Sequence, residues 1–300
     1  MEKKVKSAQH HWWPRCVSRH WAAEDGSTGW MKPDGSVIRV PPHKLGMIGN
    51  GHYIKLGPPG ESTAWDFCFE REFDAADNAF PSVISWLASL DREFRGQCGL
   101  GDRFLSQPAS DEQRRALTEC VVSLAVRGPR NRAASVAVAE HLRVPMDSRK
   151  RNAIIGANMV RSQRIISDSI GSNGKFAVLF STGREFIFGD GLFHNVTARV
   201  DPPHDPKILA PITPTMSVII SRPTSYMVEP RLTTIVLTNE EVDQCNHAVQ
   251  VYSREALFFR SERPTLDEAF SSGAHLAYSH PDNPIDSLIR GIPGVPPRDR

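Results

Sequence analysis

The chain has 300 residues, 40% of them hydrophobic and 23% charged, with a formal net charge of +2. That length suits one large domain or two modest ones, able to bury roughly 75% of the unfolded surface, and the composition is ordinary for a soluble globular protein. The small net charge gives no general reason to expect nucleic acid or a membrane as partner, and no apolar run approaches the ~18 residues of a membrane span. Four of the first six residues are charged and the segment leads into His and Trp, so no signal peptide is expected. Residues 8–60 read as β-rich. Asp25-Gly26 and Asp34-Gly35 are turn dipeptides, residues 36–40 alternate as a strand does, and Pro41-Pro42 ends it.

Residues 63–170 read as helical. Phe69, Phe73, Ala76, Phe80, Val83, Leu87, Leu90 and Phe94 recur at spacings of three and four within 63–95. Pro81 predicts a kink, or a stop followed by a restart capped by Asp77 or Asn78. Ser110-x-x-Gln113 is a capping box opening the next helix, which Arg127-Gly128-Pro129 breaks. An Ala/Val-rich helix over about 131–142 follows, then one over about 147–170. Residues 102–164 carry twelve Arg or Lys against six acids, and residues 61–95 eight acids against three bases. Two helical faces that complement each other, or are simply solvated, account for this; a binding patch is the alternative.

At Gly174 the period becomes strand-like. Residues 176–180 and 185–188, separated by Ser181-Thr182-Gly183-Arg184, read as a β-hairpin. Residues 195–200, 215–221, 233–237 and 255–260 are further strand candidates, and Thr238-x-x-Glu241 is a second capping box opening a helix through about Tyr252. The expected class is α+β, with small antiparallel sheets and a segregated central helical block. Residues 1–265 read as a single domain and the Pro- and Gly-rich 266–300 as a loosely packed tail. The two β parts can form one sheet with the helical block inserted between them. Five widely spaced cysteines without a C-x-x-C pair predict reduced thiols and a cytoplasmic location.

Three segments set polar groups among apolar ones, where an unbonded polar group is costly. Asp190 ends the apolar Phe186-Ile187-Phe188 between two glycines; it reads as a general base, a ligand for a divalent metal such as Mg²⁺, or a simple turn residue. Asn246 lies on or beside the apolar stripe Val242, Cys245 and Val249, and Ser253 shares that stripe. It reads equally as functional or as part of a structural network. His11, among aromatics, is an acid/base candidate or a neutral core histidine. Arg127, Arg130 and Arg132 around the Gly128-Pro129 break suit either phosphate binding or helix capping. Asp201-Pro202-Pro203-His204-Asp205-Pro206 reads as a surface loop rather than a metal site. No P-loop, G-x-G-x-x-G, H-E-x-x-H or G-x-S-x-G motif occurs.

In order along residues 9–260, His11-Trp12-Trp13-Pro14 with Arg19 and Trp21, Arg127-Gly128-Pro129, residues 186–190, Pro211-Ile212-Thr213-Pro214, and Asn246 with Tyr252-Ser253 resemble the prokaryotic domain-of-unknown-function family number 4238. The chain departs from that pattern at Cys16-Val17-Ser18 and at Gly189 and Gly191, which replace Ser and Asn beside the Asp. The resemblance implies no activity; it raises the expectation that His11, Asp190 and Asn246 converge. Two functions are weighed. One is a hydrolase of nucleic acid or another phosphate ester, with His11, Asp190 and Asn246 catalytic and Arg19, Arg127, Arg132 and Ser253 binding substrate. The other is a non-enzymatic binding or regulatory module in which these residues form a structural hydrogen-bond network.

Overall fold

The computed structural model describes residues 9–49, 53–54, 67–96, 98–143, 145–194, 207–222 and 228–272. In chain order, short elements come first: β1 (Gln9–His11), α1 (Arg15–Ser18), β2 (Thr28–Met31), β3 (Val37–Val40), β4 (Met47–Gly49), β5 (Tyr53–Ile54) and β6 (Phe67–Cys68). The helical block is α2 (Asp74–Ala88), α3 (Asp111–Arg127), α4 (Pro129–His141) and α5 (Ser148–Ile170), with strand β7 (Leu105–Gln107) between α2 and α3. Then come β8 (Lys175–Phe180), β9 (Phe188–Gly189), β10 (Phe193–His194), β11 (Lys207–Thr213), β12 (Met216–Ser221), β13 (Leu232–Val236), α6 (Asn239–Tyr252), β14 (Leu257–Phe259) and α7 (Glu268–Ser271). The class is α+β.

Both capping boxes form. Ser110 Oγ accepts from Gln113 N while Gln113 accepts from Ser110 N, and Thr238 and Glu241 exchange the same pair of bonds. Asp34-Gly35 turns the chain between β2 and β3, with Gly35 at φ +78° and Asp34 Oδ1 accepting from Ser36 N at 2.8 Å. The β2–β3 hairpin is extended by C-terminal strands into the order β3-β2-β14-β9, all antiparallel. The β parts on either side of the helical block therefore share a sheet. The larger sheet runs β10-β11-β12-β8-β13-β7, antiparallel except for the parallel pair β8–β13. Helix α3 packs on β11 and β12 and is flanked by α2 and α5.

Several expectations are corrected. Residues 176–180 and 185–188 are not a hairpin. β8 lies between β12 and β13, while β9 crosses to pair with β14 in the other sheet. Every residue of β8 is buried, and a strand apolar on both faces belongs in the middle of a covered sheet. Helix α2 does not restart at Pro81 but runs through it. The carbonyl of Asp77, which Pro81 cannot serve, instead lies 3.6 Å from the Cys16 thiol, which donates to it. The helix ends at Ala88, so Phe94 falls outside it and is 59% exposed. The segment assigned to a loose tail begins packed: Phe270 on α7 is fully buried with Met31, Ile187, Val249, Leu257 and Phe259. Its remainder, 273–300, lies outside the described residues, as do the expected strand 195–200 and the loop 201–206.

Two of the basic residues in 102–164 pair with acids of 61–95. Arg127, 1% exposed, grips the Asp77 carboxylate with both terminal nitrogens, one at 3.1 Å, and lies over the Phe73 ring. Arg164 pairs with Glu72 at 2.6 Å. Among the described residues no helix is long and apolar enough to cross a membrane.

Candidate ligand cavity

Asn246 is held at both ends of its amide. Its Oδ1 accepts from Ile187 N at 3.0 Å and its Nδ2 donates to Glu185 O at 2.9 Å. These bonds fix α6 to the segment entering β9. Ser253, wholly buried, donates back to Val249 O at 2.7 Å at the end of α6. Asp190 sits just past β9, 7% exposed, its two carboxylate oxygens accepting from Arg254 N at 2.8 Å and Glu255 N at 3.0 Å. Burial pushes its carboxyl above the usual carboxylate range, and the backbone N–H groups pull it back. The flanking glycines are explained by this close docking. A Cβ on Gly189 would fall 1.9 Å from Ser253 Oγ, and one on Gly191 1.8 Å from Tyr252 O.

His11, half-buried at the end of β1, bonds through Nδ1 to the carbonyl of Leu45 at 3.2 Å. Burial lowers its pKa, favouring the neutral ring that donates there. Arg19 is exposed. Arg132 turns toward α5, with Nη1 3.5 Å from Met159 Sδ, and burial brings its pKa down to about 10. Among the described residues, no two of His11, Asp190 and Asn246 hydrogen-bond each other. Asp190 and Asn246 line different hollows. No direct bond joins the three; Asp190, Asn246 and His11 Nδ1 bond instead to backbone of neighbouring elements. Nor does Asp190 gather a second and third metal ligand among the described residues. Both terminal nitrogens of Arg127 are taken by Asp77.

Asp190 does border a cavity of about 820 Å³, within the usual range for small-molecule sites. One wall is Trp12 with Met47 and Ile48 of β4. A second is Trp30 of β2 and Phe258 of β14, their rings 5.6 Å apart. Behind these the aromatics are close-packed: Trp13 stacks on Phe188 at 4.2 Å, and Phe188 on Phe258 at 4.7 Å. The third wall is one face of α4, where Arg130, Ala133, Ala134, Ala137 and Glu140 recur at helical spacing. The alanines leave the space that larger side chains would fill. Asp190, Tyr252, Arg254 and Glu255 also line it, as does a second cation, Lys44.

Arg130 is the least satisfied charge there. Its guanidinium lies 4.1 Å over the Tyr252 ring, its Nη1 is out of solvent without a hydrogen-bond partner, and burial lowers its pKa. Trp30 Nε1 is likewise buried and unbonded. Trp13 and Trp21 Nε1 and the Nε atoms of Arg103 and Arg127 share that state, but those two arginines are ion-paired, so Arg130 is the more telling group. The sequence marks Trp12, Arg130, Asp190 and Tyr252, but as parts of separate motifs. Trp30, Phe258 and the alanine face carried no signal beyond ordinary apolar patterning.

Comparison of the chain with protein-family models, curated proteins and solved structures finds no match.

Proposed function

We propose that this protein is a non-enzymatic binding module whose cavity between α4 and the β2–β14 ribbon takes a small organic anion with an aromatic or acyl body. The observation that carries this reading is Arg130, a partly buried cation without an ion-pair partner among the described residues, beside an aromatic-walled cavity. A buried, unsatisfied donor is explained when a ligand supplies the acceptor, and a guanidinium suits a carboxylate or phosphate. The rings of Trp12, Trp30 and Phe258 would cover the apolar body. A hydrolase of phosphate esters or nucleic acid is supported less well. It needs an acid/base pair within reach of one substrate, whereas Asp190 and Asn246 are bonded to backbone and His11, whose Nδ1 bonds to Leu45 O, hydrogen-bonds to neither of them among the described residues. Membership of the family named above remains part of the proposal and adds no substrate.

Calorimetric titration with a panel of aryl and acyl carboxylates and their phosphate counterparts tests the reading. At least one should bind, Arg130→Gln should weaken it about tenfold or more, the scale of one charged hydrogen bond, and Ala133→Phe should abolish it by filling the space. No binding by any member, or wild-type binding by the Ala133→Phe protein, would sink the proposal.

A further inference from the structure

A second constellation, none of whose residues lines the cavity, gathers where β1 meets the segment at 68–70. His10 is 3% exposed, and its Nε2 is 3.8 Å from Cys68 Sγ and 3.5 Å from Glu70 Oε2. All three ligand atoms lie within 4.8 Å of one another. The residues come from β1, from β6 and from the turn Glu70–Phe73, so the grouping is a product of the fold and not of local sequence.

We infer that His10 Nε2, Cys68 Sγ and the Glu70 carboxylate form a three-ligand site for a divalent transition metal of the zinc type. With metal bonds of about 2.0–2.3 Å, ligand atoms at the corners of a tetrahedron sit about 3.4–3.6 Å apart. The two measured separations are within a few tenths of an ångström of that edge. Imidazole and thiolate select zinc or a similar ion over magnesium or calcium, which take oxygen ligands. Three protein ligands leave the fourth position to water, and Glu70, 43% exposed, places that position toward solvent. The metal replaces the thiol proton, which leaves to solvent as the thiolate binds, so the site tightens as pH rises. Its structural effect is to tie β1 to the segment at 68–70. His10 is the register partner of Ile48, which lines the ligand cavity, so a bound ion also braces one cavity wall.

Cobalt(II) is the probe. Full-length protein stripped with a chelator should take up one Co²⁺, with an intense near-ultraviolet sulfur-to-metal band and visible bands of tetrahedral strength. Cys68→Ser should remove the near-ultraviolet band, whereas Cys98→Ser, at an exposed thiol, should leave it intact. Glu70→Gln, an isosteric change at a half-exposed position, should weaken uptake at least tenfold, and Zn²⁺ should displace Co²⁺ and raise the melting temperature of wild type more than of Glu70→Gln. Failure to bind Co²⁺, or a sulfur band that survives Cys68→Ser, overturns the assignment. The anion cavity is read separately by calorimetry, so failure of either reading is distinguishable from failure of the other.

Discussion

Leucine at position 246 would keep the bulk of the asparagine and discard both of its bonds. Ile187 N and Glu185 O would then be left buried without partners, at roughly 1–3 kcal/mol for each. Asn246→Leu should therefore lower the unfolding midpoint clearly; an unchanged midpoint would return the residue to a functional role. Asp190→Asn is a subtler test. The carboxylate accepts from two N–H groups, and an amide offers one oxygen, so one donor is lost at roughly 1–3 kcal/mol. Stability should fall without any appeal to chemistry. Lys175 supplies a pH dependence. It is 1% exposed, its Nζ donates to Val228 O and Pro230 O, and burial lowers its pKa from 10.5 to about 8, opposed by Glu229. Between those values the unfolded chain binds more protons than the folded one, so the lysine contributes a gain in stability as pH rises from about 8 to 10.5. In denaturant titrations Lys175→Met should lack that rise, and an identical slope in both proteins would refute the assignment. At this scale the sequence was half legible. Polar groups among apolar ones marked Asp190 and Asn246 as bonded, but their partners are backbone groups 64 and 61 residues away, which no local pattern reveals. His10, Cys68 and Glu70 were hidden for the same reason, with Cys68 inside a stretch whose aromatic spacing imitated a helix.

Among the elements, those fixed by local chemistry were legible and those fixed by pairing were not. The capping boxes set the starts of α3 and α6 because their bonds close within four residues. By contrast, strand β7 is three residues long and exists because β13 offers it an edge. Helix α7 shows the same limit. It follows a Pro- and Ser-containing stretch that reads as tail, yet Phe270 is buried and α7 packs on α6. Asp267 caps it through Ala269 N and pairs with His247. Phe270→Ala should cost about 3–5 kcal/mol, as for other buried aromatics. A chain ending at residue 265 should be far less stable than one ending at 272, as thermal melts of the two would show. Equal melting temperatures would mean that α7 is an ornament on the fold.

The largest consequence of the topology is that the ends of the described chain hold one another. β2 pairs with β14 across more than two hundred residues, Trp13 stacks on Phe188, and the Cys16 thiol meets the carbonyl that Pro81 leaves open in α2. The N-terminal aromatics thus belong to the same apolar core as the helices and the six-stranded sheet. Packing of this kind resists piecemeal loss, since removing the first strands uncovers an edge of β14 together with the faces of Phe188 and Phe258. Unfolding should therefore be a single cooperative step. Two probes divide the molecule usefully. Near-ultraviolet circular dichroism is weighted toward the tryptophans, four of the six of which are Trp12, Trp13, Trp21 and Trp30, whereas the far-ultraviolet signal follows the helices, the longest being α2, α3 and α5. The two melting curves should superimpose, and ligand or metal that raises one midpoint should raise the other equally. An aromatic signal lost several degrees before the helical one would instead divide the chain into two units. The cavity between α4 and the N-terminal strands would then be a boundary between domains rather than a hollow within one.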